Sequence, residues 1–277
     1  MVDITSRSNR VFGFASALLL AISASDAAAD SARFWQGMTF QAGGAVRVMP
    51  LYEGANQYRV VGLPLLLPVP DRSGLAATVR RRVEVKSPDN VRIKMIASDW
   101  VEAGPVVGYA FGREEEDDSR LAGLGDLDGG PVAGAFLALG RDYLRADVSF
   151  HKQIAGDVEG FQIKFGAGGE LPITEGSLIG ARIGATYADT GFMNSYFGVS
   201  AAQAMNSGAG LRSFAAGGGI KDINVEVYAR LGIGRNWSLR PTLRYARLLH
   251  DAERSPLVET PHQLSGGLAL TYRFQLP

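Results

Sequence analysis

The sequence predicts an all-β fold, a transmembrane antiparallel β-barrel of twelve strands after a cleaved export signal, and three observations carry that expectation. Segment after segment divides into an apolar row and a small or polar row, the period of a β-strand. These apolar rows are too numerous to be covered by a second protein layer, so lipid must cover them. Only the N-terminus carries an apolar run of export-signal type, and no later segment offers a helical span.

Composition narrows the field. The 277 residues include 28 Lys+Arg and 28 Asp+Glu, so no basic excess points to nucleic acid. The absence of cysteine excludes disulfides, Cys-ligated metal and thiol catalysis. Glycine, at 35 residues, would weaken ordinary strands but suits bends and close packing inside a barrel. Arg7 and Arg10 precede the apolar run 11–22, and Ala27-Ala28-Ala29 supplies a small-residue cleavage pattern before Asp30. The run is short for a span, which needs ~20 residues. Residues 1–29 therefore read as a signal peptide and 30–277 as the barrel.

Taken in order, Met38, Phe40, Ala42, Gly44, Val46 and Val48 share one face of the first strand. After the loop 50–57, Val61, Leu63, Leu65, Leu67 and Val69 are expected outside, with Gly62, Pro64 and Pro68 inside. A turn at 70–74 leads to 75–85, where Arg81 interrupts the apolar row, and then to 91–95. This pair is the weakest, and without it the count falls to ten. Val101, Ala103, Pro105, Val107, Tyr109 and Phe111 form the next outward row, followed by the acidic segment 113–130. Strands at 131–140, 144–154, 161–171 and 179–187 follow, then a long loop at about 189–219. The last three strands are 223–233, 239–245 and 263–274. In the final one Leu264, Gly266, Leu268, Leu270, Tyr272 and Phe274 form a wholly apolar face. Short turns near 70, 98, 141, 174 and 234 alternate with longer loops, as short periplasmic turns and long outer loops do. An even count puts both ends on the periplasmic side.

The rows expected to face inward hold more base than acid. Arg47, Arg80, Arg82, Arg92, Lys94, Arg145, Lys164, Arg182, Arg230, Arg240, Arg244 and Arg273 stand against Glu84, Glu102, Asp147, Glu170 and Glu226. A lumen packed with ion pairs is the favoured reading, with Glu226 and Arg244 within reach on adjacent strands. An open lumen with this surplus would prefer anions.

Chemistry is weighed on the three histidines. Asp147, Ser149 and His151 share one strand face, superficially an orienter, a nucleophile and a base. Residues two apart on a strand sit ~6.5–7 Å apart along the backbone, which argues against contact. Outer-membrane lipid hydrolases also use the opposite order, His-x-Ser, on an outward face. His250 and His262 flank an outer loop without a protease pattern. In the acidic segment, Asp126-Leu127-Asp128-Gly129 lacks the further ligands of a calcium loop. No catalytic, cofactor or metal residue is expected.

A set of short motifs runs across most of the chain. It begins with Tyr52-Glu53-Gly54, Gly104-Pro105-Val106-Val107-Gly108-Tyr109, Gly112-Arg113, Leu121 and Gly123-Leu124-Gly125-Asp126-Leu127-Asp128. It continues with Ala133-Gly134-Ala135-Phe136, Tyr187-Ala188-Asp189, Tyr196-Phe197-Gly198-Val199 and Gly219-Ile220-Lys221-Asp222. It ends with Trp237, Leu248-Leu249, Asp251-Ala252, Ser255-Pro256-Leu257-Val258 and Tyr272-Arg273-Phe274. As a set these motifs resemble the MipA/OmpV family of outer-membrane proteins. Ser265-x-Gly267-x-x-Leu270-x-Tyr272 is similar to the C-terminal signal read by the barrel-assembly machinery. The run Arg80-Arg81-Arg82 and the tail Gln275-Leu276-Pro277 depart from the pattern. The resemblance implies a non-enzymatic scaffold in the outer membrane of a Gram-negative bacterium, among lipid and lipopolysaccharide. It would link a lytic transglycosylase to a penicillin-binding protein at the peptidoglycan. The alternatives are a porin-like small-solute channel and an outer-surface adhesin.

Overall fold

In the computed structural model, which describes residues 39–69 and 82–275, the chain forms one antiparallel sheet of thirteen strands. They are β1 (Thr39–Pro50), β2 (Tyr58–Val69), β3 (Val83–Ser87), β4 (Asn90–Ile93), β5 (Ile96–Ala97), β6 (Val101–Ala110) and β7 (Gly130–Arg141). Then come β8 (Leu144–Gln153), β9 (Gln162–Thr174), β10 (Ser177–Ala188), β11 (Gly219–Ile233), β12 (Trp237–Leu248) and β13 (His262–Gln275). The first and last strands pair, Phe40 opposite Phe274 and Val46 opposite Leu268. The sheet therefore runs β2-β1-β13-β12 and onward through consecutive neighbours to β6-β4-β3. The described residues form no closing pair between β2 and β3. Residues 1–38, 70–81 and 276–277 lie outside the description, and with them the expected signal peptide, Met38, the turn at 70–74, Arg80, Arg81 and the end of the tail.

The sheet curls around a cavity of about 2320 Å³, lined by residues of β2 at one end of the path, β3 at the other and β9 between them. Its outer surface is the apolar row the alternation predicts. Ile183, Leu243, Leu268 and Val107 all face outward and are 64, 50, 49 and 43 % exposed. In water such a surface would be unstable; in lipid it is the solvated state. A charge at mid-strand on this surface should be costly. Ile183→Arg is expected to lower stability by about 2–4 kcal/mol, read by urea titration in lipid vesicles.

Two departures from the expected strands have local causes. The segment 91–95 does not run straight into its turn. β4 pairs Val91 with Val107, β5 pairs Ile96 with Ala103, and these registers differ by one residue. The extra residue lies at Lys94–Met95, whose carbonyls accept from the Arg82 guanidinium at 3.0 and 2.7 Å. That bulge splits one expected strand into two, so thirteen are found where twelve were expected.

The second correction concerns β2. Val60, Gly62, Pro64 and Leu66 pair with the outward residues Val48, Val46, Gly44 and Ala42. Val61, Leu63 and Leu65 therefore face the lumen, the reverse of the expectation. Both rows of β2 are apolar, so alternation does not discriminate between them and register with β1 decides. The loop before β2 sets that register through Leu51 N–H donating to Gln57 O at 3.0 Å.

All the long connections lie at one end of the sheet, and the turns at 98–100, 142–143, 175–176 and 234–236 lie with both described ends at the other. The long loops carry helices α1 (Thr190–Phe197), α2 (Ala201–Asn206) and α3 (His250–Arg254). Here lies the main apolar core among the described residues. Tyr52, Ala55, Leu121, Leu124, Val199, Leu211 and Leu257 form one cluster. Ala188, Met193, Phe197, Ala216, Leu248 and Ala252 form the next, and Phe214 packs against both. Loops from four parts of the chain thus share one packed cap.

Candidate functional site

The luminal rows begin with glycines that leave room for large polar groups. Gly166 lies opposite Asp147 on one side and Gly184 on the other, and the Arg182 guanidinium fills the space where a side chain would stand. Gly180 makes the same room for the Tyr228 ring, whose hydroxyl donates to Glu170 at 2.9 Å.

Asp147 is the centre of the densest charge cluster. Arg92 approaches it at 2.7 Å, Arg182 at 2.5 Å and Lys86 at 3.8 Å. The Arg92 side chain is 1 % exposed and its guanidinium lies 4.9 Å over the Phe136 ring. Lower in the lumen, Glu102 holds Lys94 at 2.8 Å and Arg145 at contact, while Glu84 meets Arg145 at 3.4 Å and Lys86 at 3.8 Å. At the β3–β4 turn, Asp89 pairs with Lys164 of β9.

These pairs cross the lumen. In sheet order β4, β6 and β7 lie between β3 and β8, about 19 Å of wall at the usual strand spacing. Glu84 and Arg145 can meet only if the β3–β4 hairpin leans inward across β7. The expected lumen of ion pairs is therefore present on this side, with Lys86 and Asp89 added. Opposite, Glu226 faces Arg244 in register, yet the acid nearest Arg244 is Asp222, at 3.9 Å.

Ser149 and His151 need a correction of their own. Their side chains lean together, with Ser149 Oγ 2.9 Å from His151 Nε2, despite the backbone separation. The other ring nitrogen lies 3.2 Å from the Asp89 carbonyl oxygen, and Asp147 is occupied by three cations instead of orienting the imidazole. Ser149 is 1 % exposed, buried beside Arg92, which donates to it at 3.4 Å. His262 lies apart, exposed at the rim 2.6 Å from the Tyr245 hydroxyl, and His250 caps the Ile220 carbonyl.

A residue the alternation missed joins wall to cap. The β10–β11 register shifts between Thr186 and Tyr187, so Lys221 and Asp222 occupy a bulge and both side chains are buried. Lys221 pairs with Asp222 at 3.1 Å and with Glu53 of the first loop at 2.6 Å. Two polar residues in succession within an otherwise alternating strand are the signal that could have found it.

The cap is tied by buried polar bonds as well as apolar contact. Tyr52 donates to Leu257 O at 3.1 Å, Ser255 to Phe197 O at 2.7 Å and Arg113 to Tyr196 O at 3.0 Å. Arg120 donates to Pro256 O at 2.6 Å. Gly123 takes φ +81°, and a Cβ there would run into the Asn206 carbonyl oxygen. Acids of the segment 113–130 serve the loop itself. Glu115 accepts from the Gly123 and Gly125 amides, and Asp126 from the Glu115 amide.

Removal from water, reinforced by Glu53, pushes the Tyr196 phenol up to about 12. Its folded value lies above that of a free tyrosine, so the stability it contributes is full below pH ~10 and is lost as pH rises through about 12. Tyrosinate absorbance, compared between the protein and Tyr196→Phe, should show one late-titrating phenol that the variant lacks.

Most of the motifs quoted above fall in this cap or on the strand ends beneath it. A family model described as MltA-interacting protein MipA matches residues 42–274. The chain belongs to the MipA family. It is an outer-membrane protein of β-barrel type. No curated protein matches the chain. Among solved structures, the translocator domain of the autotransporter NalP from Neisseria meningitidis is similar at 11 % identity, with a TM-score of 0.39, over 90 % of this chain and 96 % of that one. An outer-membrane channel from Pseudomonas putida F1 is similar at 10 % identity, with a TM-score of 0.40, over 86 % of this chain and 96 % of that one.

Proposed function

We propose that this MipA-family protein is a non-enzymatic scaffold of the Gram-negative outer membrane that brings cell-wall enzymes together. The observation that carries this reading is the family match over residues 42–274, whose description names an interaction with MltA. By the resemblance set out above, that partner class is a lytic transglycosylase, linked to a penicillin-binding protein. A periplasmic partner would meet the short-turn end, where Trp100, Tyr143 and Trp237 stand 64, 57 and 46 % exposed. Turns this short support a small interface and a weak, transient complex. The test is capture of murein enzymes from solubilised envelopes by the full chain. Recovery of a lytic transglycosylase with the protein, lost on Trp100→Ala with Tyr143→Ala, is the expected result. Envelopes that yield no such enzyme would sink the reading.

Removal of residues 1–29, assembly by the barrel machinery and a final place among lipopolysaccharide belong to the same proposal. The motif Ser265 to Tyr272 supports the assembly step. A mature N-terminus other than Asp30 would move the processing site. Ser149→Ala is expected to leave the envelope's esterase and phospholipase activity unchanged, and loss of either activity would make the protein an enzyme.

A second reading, a small-solute channel, is favoured by one observation. The cavity is lined both by turn residues such as Trp100 and Tyr143 and by loop residues such as Glu115 and Asp128, so it reaches both ends. Stepwise conductance in planar bilayers is its test.

A further inference from the structure

The two sides of the lumen differ in how far their charges are paired. On the side of the leaning hairpin, Glu84, Asp89, Glu102 and Asp147 are each held by at least one cation. The facing wall, built by β11, β12, β13 and β1, sets Arg47, Arg230, Arg240 and Arg244 against Asp222 and Glu226. Tyr228 pairs with Thr242 and Leu231 with Leu239, so Arg230 and Arg240 stand directly opposite each other on the luminal face. Arg244 lies on the same face of β12, one strand repeat past Thr242. Thr242 pairs with Gly267 and Gly267 with Arg47, which brings a fourth arginine to the same level.

No carboxylate among the described residues lies within 4.0 Å of Arg47 or Arg230, and Arg244 meets only Asp222, at 3.9 Å. Like charges directly opposite on neighbouring strands destabilise a sheet. Here the arrangement lines a large cavity over a floor of small groups, Thr242, Ser265 and Gly267. A guanidinium presents two parallel donors that match the paired oxygens of a carboxylate or phosphate. Converging arginines with hydroxyls between them provide what an oxyanion of more than one charge requires.

We propose that this wall is an anion-binding site for phosphate- or carboxylate-bearing solutes that enter the lumen. The inference deepens the channel reading in needing a water-filled lumen, but it does not need conduction through the cap. Binding supplies Arg47 and Arg230 with a counter-charge and lets Arg244 close on the ligand beside them. Thr242 and Ser265 supply uncharged donors beneath it.

The experiment is isothermal titration of the full mature chain in detergent with inorganic phosphate and, separately, with citrate. Both are expected to bind saturably, with chloride competing only at far higher concentration. Arg47→Gln combined with Arg230→Gln should weaken both by at least about tenfold. Arg254→Gln, exposed on α3 and away from the cavity, should change nothing. If the double variant does not fold, Arg244→Gln alone serves, with the same direction of effect. Absence of saturable binding by the unaltered protein, or equal binding by the variants, overturns the proposal. Binding without conductance would remove the channel reading and leave this site standing. Conductance without binding, equal for cations and anions, would do the reverse.

Discussion

Asp147→Ala is expected to destabilise the folded protein by about 3–5 kcal/mol, because it strands buried cations rather than removing one attraction. Arg92 and Arg182 approach the carboxylate at 2.7 and 2.5 Å, and both carboxylate oxygens are engaged. Lys86 adds a third positive group at 3.8 Å. With the carboxylate gone, the Arg92 guanidinium keeps only Asn90, Ser149 and the face of Phe136. None of these balances its charge. Asp147→Asn keeps the shape and should cost nearly as much. Adding Arg92→Met to Asp147→Ala should recover part of the loss, since one stranded cation goes with it. Urea-induced unfolding from vesicles measures all three. A loss below about 1 kcal/mol for Asp147→Ala would mean that water reaches the cluster and screens it.

Phe197→Ala should have an effect of similar size in a different place. The side chain is wholly buried among Met193, Ala216, Leu248 and Ala252, and its removal leaves a cavity worth about 3–5 kcal/mol. The strands are held by their own ladders and by lipid, so the cap should open before the barrel does. The cap's open fraction should then rise by roughly two to four orders of magnitude. Limited proteolysis from outside should cut the loop 189–218 in the variant far faster than in the unaltered protein. The heat-dependent shift in gel mobility that marks a folded barrel should persist. If that shift is lost together with loop protection, cap and barrel fold as one unit.

The strands were legible because an outward row against lipid tolerates almost nothing polar. In β10, Ile179, Ala181, Ile183 and Ala185 leave the alternation unambiguous. Legibility failed where that contrast vanished. β2 carries Val60, Val61, Leu63, Leu65 and Leu66 on both faces, so only its pairing with β1 reveals which way it turns. The cap helices were missed for another reason. At eight, six and five residues they are too short to display a helical period. Their signals are local instead, Asp189 accepting from the Phe192 amide and Ser200 with Gln203 forming a capping box. The luminal rows could be written down strand by strand, but the partners could not. Which acid meets which base depends on the lean of the β3–β4 hairpin, a property of no single strand. The cap motifs lie in plain view, yet their shared packing appears only when loops far apart in sequence meet.

Pairing of β1 with β13 carries a consequence for biogenesis. The strand made earliest waits for the one made last, with Thr39 opposite Gln275. Until synthesis and export are complete, the β1–β2 hairpin has a free edge and no permanent neighbour. A chain that stops short of residue 262 has nothing to complete that edge, whatever the quality of its other strands. Truncated copies should therefore remain with periplasmic chaperones and be degraded, so that the order of strands itself inspects each chain for completeness before insertion.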